Sequence, residues 1–495
     1  MCINSNKSNI LIIIHCWDEQ FDRNKLIGGT SFHVLDIIRL LRNEYNFYIL
    51  TPHKNIYRLY SYWKNGEELI DIYSSVHQNC TNKYFNTEYE KIIIDIIDCF
   101  NIDIVHIHHM LGHFFNIINV KRNKIFKLII SLHDYYASCP NINKINKINK
   151  YCGFPSEKEC NSCLSHNNKL INISTWKSNW NLLFKICDKI IVPSEAAKNE
   201  IFSTYENISI DVIEHGVGIK QIKSELNIDS DINFNVAFIG NITEVKGKKI
   251  IEDLIKYSNK HKNNINFHLF GAISSYILLK KNRNFFFHGE YNRDDITKLL
   301  RENNIKLTCI FSIWPETFCY TFIESIANNV PVFAIDIGAV GQKIRNNNLG
   351  WIIKNGTGIS KIYQKIKNIF NNKNRYRNVI KSISNYKLKN LEEMSKEYDE
   401  IYSSYKINRK ENDNNEIKRT FFKKKYLCIT CKTDEKNSKY DRKKKQKNNF
   451  WRLNRVITWF PRNMKKLIKY YLENGIINTI KKLSNVLLKK LHLRI

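Results

Sequence analysis

The stretch WPETFCYTFIESIANNVPVFAIDIGA (residues 314–339) places two glutamates, Glu316 and Glu324, eight residues apart between two apolar runs. Its pattern predicts one carboxylate at the end of a strand and the other about two turns into the following helix. Eight residues turn an α-helix by about 800°, close to the same face. The amides of Tyr320, Thr321 and Phe322 would open that helix. First-turn amides lack intrahelical partners and sit at the positive end of the helix dipole, which makes them an anion site. One short element thus offers a cradle for a diphosphate and two carboxylates able to accept hydrogen bonds from hydroxyls. That combination suits a nucleoside-diphosphate sugar. The alternative is an ordinary strand–helix unit with two solvated glutamates.

The surrounding chain alternates short apolar runs with helical patterns, which predicts parallel α/β architecture. The first half offers strands at 9–14, 47–50, 102–109, 127–134, 189–195 and 211–217, and the second at 235–241, 266–272, 285–291, 307–316 and 330–336. Each set is rich in Ile, Val and Phe, as in strands buried on both faces, and each suffices for one doubly wound sheet. The polar stretch SELNIDSDIN (224–233) reads as a hinge. Two such domains would face each other across a cleft at the carboxyl ends of their strands, where open α/β sheets bind ligands. Several polar residues follow strands at that edge. Gly28, Gly29 and Thr30 precede a helical pattern over Phe32–Leu41, and glycines there let backbone approach a ligand closely. His133 and Asp134 end the run KLIISLHD. Lys246 and Gly247 follow IGNITEV, where an ammonium would stabilise charge developing on a leaving diphosphate. Each has an ordinary alternative as a turn or a solvated side chain.

The chain has 495 residues, 43% of them hydrophobic and 12% aromatic, enough for two or three cored domains. Of its net charge of +31, most belongs to residues 406–495, which hold 27 Lys/Arg against 7 Asp/Glu. The segments 406–425 and 432–449 read as charged and structureless. Beyond them, FWRLNRVITWF (450–460) precedes a pattern with Leu, Ile and Tyr at mostly three- or four-residue spacing and lysines between. A basic amphipathic helix of this kind suits an anionic membrane surface; nucleic acid and docking on the body are the alternatives. The absence of a recognisable base-reading motif argues against nucleic acid. No secretory signal or apolar run of membrane-spanning length is evident, and thirteen cysteines fit a reducing cytoplasm, with the protein peripheral on the inner membrane face. Cys139, Cys152, Cys160 and Cys163 cluster in one loop-like insertion. Four thiolates could hold a structural zinc, but the spacing is not a standard pattern, and free thiols are the alternative. Cys428 and Cys431 form a second, isolated pair.

In their order these elements resemble the retaining glycosyltransferases of family 4, from about residue 9 to 405. The resemblance rests on the Glu316–Glu324 motif with SIANNVPVFAIDIGAVGQKI and LGWII, on GGTSFHVLDIIRLL, SLHDYYASCP, IIVPSE and VIEHGV, and on the Gly240–Gly247 loop. It is nearest to the subset of bacterial O-antigen and surface-polysaccharide pathways, which share W-P-E-T-[YF]-x-Y-T-x-x-E and a cysteine-bearing loop after H-D-Y. The resemblance implies a GT-B fold, with 1–223 as the acceptor-side Rossmann-like domain and 224–390 as the nucleotide-sugar domain. A terminal helix at 391–405 would pack back on the first domain, followed by a linker at 406–449 and the basic tail at 450–495. It implies that Glu324 holds the donor ribose and Glu316 the transferred sugar. Amides near Tyr320, Thr321 and Phe322 would hold the diphosphate, with Lys246 countering its charge and Gly28 and Gly29 closing from the other domain. His133 would stand beside the transferred sugar. The acceptor would be a glycan or lipid-linked glycan, and no divalent metal or other cofactor is expected. Two departures stand out: Asn241 where many members have arginine, and Cys319 where glycine is usual. They leave room for a non-catalytic scaffold as the alternative.

Overall fold

A computed structural model describes residues 7–17, 28–54, 56–63, 66–73, 84–167, 171–222, 233–261, 264–405 and 415–427. The hinge read at 224–233, the linker beyond 427, the second cysteine pair and the basic tail at 450–495 lie wholly or almost wholly outside these residues.

The strands are β1 (Asn9–Ile13), β2 (Asn46–His53), β3 (Ile56–Trp63), β4 (Gly66–Tyr73), β5 (Ile104–Ile107), β6 (Lys127–Ser131), β7 (Lys189–Val192), β8 (Asp211–Val212), β9 (Phe234–Ile242), β10 (Ile265–Ile273), β11 (Phe285–Gly289), β12 (Ile305–Ile310), β13 (Val332–Ile335) and β14 (Gly350–Ile353). Among the described residues they form two sheets, ordered β4-β3-β2-β1-β5-β6-β7-β8 and β11-β10-β9-β12-β13-β14. The second sheet is parallel throughout. In the first, β2, β1 and β5 to β8 run parallel. The expected strands of both halves are present, and their apolar runs are buried as sheets covered on both faces require.

Three departures from the sequence reading have local causes. The first sheet is not purely parallel: β3 and β4 extend it as an antiparallel hairpin whose register runs from Ile56↔Tyr73 to Trp63↔Gly66. The motif LGWII, which carries no strand expectation in the sequence, holds β14, the sixth parallel strand, beside β13. Within the segment read as a charged, structureless linker, Asn415–Leu427 form a helix, with Phe422 fully buried on Phe100 and Arg419 donating to Tyr48 Oη at 3.2 Å.

Each sheet has its own core. Ile10, Ile12 and Ile14 pack with Val34, Ile37, Ile38 and Leu41 of the helix Gly29–Leu41. Phe234, Phe238, Phe267 and Phe333 anchor the second. The helix Leu391–Ser403 follows the second sheet in sequence but buries Met394, Tyr398 and Tyr402 in the first core. Its start is fixed by an Asn390–Glu393 capping box, while Asn390 also bridges Val217. The chain therefore returns to its first sheet and ties the two sheets together.

Candidate active site

Glu316 and Glu324 do not share a helix face. Strand β12 ends at Ile310, so Glu316 stands six residues beyond it in a loop, and the helix runs only from Tyr320 to Ala327. Pro315 and the extended backbone of Cys319 (φ −137°) keep the intervening residues out of the helix. Both carboxylates are buried, at 6% and 3% exposure. Ser312 Oγ donates to Glu316 Oε1. Glycine at 338 is required beneath this loop, since its φ is +61° and a Cβ there would lie 2.6 Å from Pro315 backbone and 2.7 Å from Glu316 N. Ala339 N donates to Glu316 O at 2.9 Å. The small residues after β13 thus fix the acidic loop.

Glu324 has a partner that the sequence reading missed. Arg293 Nε donates to its Oε1 at 2.8 Å, while Oε2 is buried with no hydrogen-bond partner. The guanidinium carbon lies 4.3 Å from the Tyr320 ring centre and 5.5 Å from that of Phe32. Arg293 therefore spans residues of both sheets' domains.

Lys246 ends a single 3-10 turn, Glu244–Lys246, and Gly247 follows with φ +79°. A Cβ at Gly247 would fall 2.2 Å from Phe311 O, so only glycine lets this loop lie on the β12 loop. Ile313 N donates to Val245 O at 2.9 Å, completing the seam. The Lys246 ammonium makes no hydrogen bond or ion pair among the described residues, and its charge acts on Cys319 at the start of the helix. Burial and the nearby Glu316 hold the Cys319 thiol neutral despite Lys246. Its Sγ lies 3.3 Å from Thr321 Oγ1. Asn241 is exposed. The Phe322 ring is core, leaving only its amide for a ligand.

The first sheet presses a bed of imidazoles against this helix. His106, His108 and His109 come from β5 and its end, His133 from the end of β6, His33 from the helix Gly29–Leu41, and His215 from beyond β8. His108 Nδ1 and His133 Nε2 are 2.9 Å apart, His33 Nε2 meets Tyr398 Oη at 3.0 Å, and His33 stacks on His215 at 4.0 Å. Burial, reinforced by the neighbouring imidazoles, pushes His33, His108, His133 and His215 well below the ordinary imidazole value. These rings are neutral at pH 7. His33 Nδ1, His108 Nε2 and His133 Nδ1 are buried without partners. One nitrogen from each of these three rings lies within 4.8 Å of the others, a spacing that could also hold a metal ion. Next to them, Leu111 N donates to His109 Nδ1 at 3.0 Å, so the His109 proton is on Nε2, which donates to Asp134 at 2.9 Å.

The two edges touch. Gly29 packs on Tyr320, where a Cβ would lie 3.2 Å from the ring, and Tyr320 Oη meets His215 Nδ1 at 3.2 Å. Thr317 Oγ1 donates to His133 O at 2.5 Å, and Ser194 Oγ donates to Thr317 O at 2.7 Å. The structure thus brings Gly29, His133, Lys246, Glu316 and the Tyr320–Ala327 helix to one seam. Gly28 precedes that helical contact and has open space where a side chain would be. His33, His215 and Ser194 were in quoted motifs without an assigned role. Arg293 had no sequence signal at all, because it reaches Glu324 from a separate loop after β11.

The comparisons agree with this architecture. Residues 27–221 match the model of Glycosyltransferase Family 4, and residues 219–385 match that of Glycosyl transferases group 1. No curated protein matches the chain in sequence. Among solved structures, sucrose-phosphate synthase from Thermosynechococcus elongatus superposes with a TM-score of 0.59 at 11% identity, over 80% of this chain and 99% of its own. Anabaena HepE, solved with UDP, gives 0.54 at 14%, over 80% and 100%. A glycosyltransferase from Rickettsia africae ESF-5 gives 0.51 at 17%, over 81% and 99%. With both family domains in succession on two facing Rossmann-like sheets, the chain belongs among the GT-B glycosyltransferases.

Proposed function

We propose that the protein transfers a sugar from a nucleoside-diphosphate sugar to a hydroxyl of a growing polysaccharide or lipid-linked glycan, with retention of anomeric configuration. The observation that carries this reading is the unpaired Lys246 ammonium facing the start of the Tyr320–Ala327 helix, with two buried carboxylates on that same segment. Lysine and first-turn amides are the groups that would neutralise a leaving diphosphate. Glu324 would take the ribose hydroxyls and Glu316 the transferred sugar. Gly28 and Gly29 would close over the phosphates, with His133 as a neutral hydrogen-bonding partner of the sugar. Anabaena HepE has been solved with UDP-glucose, which supports the donor class.

In this reading the acceptor oxygen bonds to the anomeric carbon as the bond to the diphosphate breaks. The acceptor proton passes to the departing phosphate on the same face. Neither glutamate needs to attack, so the arrangement differs from the paired-carboxylate hydrolase scheme. Positioning, closure and charge stabilisation make up the protein's contribution. No divalent ion takes part; transfer is expected at an equal rate with or without added magnesium or manganese. Residues 450–495 would hold the protein on an anionic membrane surface. No helix among the described residues is long and apolar enough to cross a membrane.

The test is a nucleotide-sugar screen on the purified full chain, reading thermal stabilisation and slow donor hydrolysis across UDP-, GDP-, ADP- and dTDP-sugars. One stabilising donor that is hydrolysed establishes the reading. A donor that binds without turnover with any acceptor would favour the scaffold alternative, and absence of binding by folded protein would refute the donor site.

A further inference from the structure

The imidazole bed has a chemistry that glycosyl transfer does not use. We propose that His33, His108 and His133 together bind one zinc ion, which staples the helix Gly29–Leu41 to the carboxyl ends of β5 and β6.

The three rings come from three elements that are remote in sequence, and one nitrogen from each lies within 4.8 Å of the other two. Among the described residues, no other three His, Cys, Asp or Glu side chains bring ligand atoms so close together; Cys139, Cys152, Cys160 and Cys163 do not. His108 Nδ1 and His133 Nε2 already stand 2.9 Å apart. Nitrogens bound to a tetrahedral zinc ion at about 2.0–2.1 Å are separated by about 3.3 Å. That pair need only part slightly, and a small rotation of the His33 ring closes the triad.

Hydrogen bonding singles out the same three side chains. His33 Nδ1, His108 Nε2 and His133 Nδ1 are buried without a partner. Their neighbours in the bed are fully engaged. His106 meets Tyr402 Oη and Ser131 Oγ, each at 2.8 Å, and His113 meets Tyr89 Oη at 2.8 Å and Ile14 O at 3.0 Å. His109 is held by Leu111 N and Asp134. Buried polar atoms are nearly always paired, and an ion is one reason for a site to keep some of them open. The rings with an open nitrogen here are the ones that converge.

The donor set fits zinc. Imidazoles suit zinc, copper and nickel, whereas magnesium and manganese prefer oxygen. The site is therefore separate from any part that those two ions could play in transfer. Each neutral imidazole gives one lone pair and keeps one proton. The proton now shared between His108 and His133 moves to the far nitrogen of its own ring as the ion enters, so none is released. His33 keeps its Nε2 proton on Tyr398 Oη at 3.0 Å, an outer partner of the kind that orients metal-bound histidines. Asp134 follows His133 directly and places a carboxylate beside the dication. His133 is only partly buried, so the fourth position of the ion opens on the seam and would take a water. The staple would set the start of the Gly29–Leu41 helix, where Gly29 packs on Tyr320.

The test uses the full chain purified under reducing conditions, freed of metal with a chelator and then given zinc alone. Metal analysis after dialysis is expected to give about one zinc per chain. The melting temperature is expected to rise with zinc and not with magnesium, because only the folded chain assembles the triad. Cobalt(II) is expected to give intense tetrahedral d–d bands without thiolate-to-cobalt charge transfer. His108→Gln is expected to bind zinc about tenfold or more weakly and to lose the rise in melting temperature. Should that variant not fold, the wild-type cobalt spectrum decides alone. Folded protein that takes up no zinc would overturn the proposal. So would charge-transfer bands, which would put the metal on cysteines, or undiminished zinc binding by folded His108→Gln. None of these readouts depends on the donor.

Discussion

Lys246 and Glu324 differ in what their removal should do, because one is unpaired and the other is not. Lys246→Ala takes away an ammonium with no protein partner, so kcat/KM should fall by about 10²–10³-fold with thermal stability nearly unchanged. Full activity in that variant would remove Lys246 from the site. Glu324→Ala also strands Arg293, whose side chain is only 25% exposed. Breaking a buried pair from one side costs about 3–5 kcal/mol, so this variant should lose stability as well as transfer. Adding Arg293→Ala should recover part of the stability and none of the activity, which a denaturant-melt cycle with parallel assays would separate. Stability restored together with activity would make the pair merely structural. The spacing of Glu316 and Glu324 was legible because it lies within one motif. Arg293 was not, since its role arises only when the loop after β11 folds over the helix.

The helix Leu391–Ser403 organises residues remote in sequence. Tyr402 Oη meets His106 Nδ1 at 2.8 Å and Tyr398 Oη meets His33 Nε2 at 3.0 Å, so a terminal element pins the imidazole bed from behind. Tyr402→Phe removes the hydroxyl and leaves a fully buried nitrogen unsatisfied, at a cost of about 1–3 kcal/mol. A lowered urea midpoint at constant m-value would confirm this; an unchanged midpoint would mean that His106 finds another partner. The parallel strands were legible from their unbroken apolar runs. The β3–β4 hairpin went unread because IYRLYSYW lacks period-two alternation and Gly66, paired with Trp63, already belongs to the second strand, so no Asn-Gly pair fills the turn. The helix Asn415–Leu427 had only a weak signal, because lysines fill the sequence; its Phe422 and Tyr426 rings are buried, and Phe422 packs edge-on to Phe100. The separation of Glu316 from the helix was hidden for a related reason. Apolar periodicity marks the strand and the helix but not the nine-residue loop between them, whose path is set by contacts with Gly338 and the Lys246 turn.

At the scale of the whole molecule, buried neutral histidines link stability to pH. Burial lowers His106 to about 3 and His113 to about 4, with His33, His108, His133 and His215 moved the same way. Below the ordinary value near 6.5 the unfolded chain binds protons that the folded chain refuses. Stability is therefore complete above about pH 6.5 and falls as pH drops, by up to about 1.4 kcal/mol per pH unit for each such histidine. Urea midpoints should decline steeply between pH 6.5 and 5, and a flat profile would show that the imidazoles are solvated. The second whole-molecule property is the charge asymmetry, +20 of the total +31 falling in the last ninety residues. If residues 450–495 bind an anionic surface, the full chain should sediment with vesicles containing phosphatidylglycerol and not with neutral ones. Binding should weaken sharply as salt shortens the Debye length from about 10 Å at 0.1 M toward 3 Å at 1 M. A chain ending at 449 should stay in the supernatant while transferring sugar to a soluble acceptor at the full rate. Equal sedimentation of both chains would move membrane attachment to the body, and equal binding to neutral vesicles would make the lysines irrelevant to it.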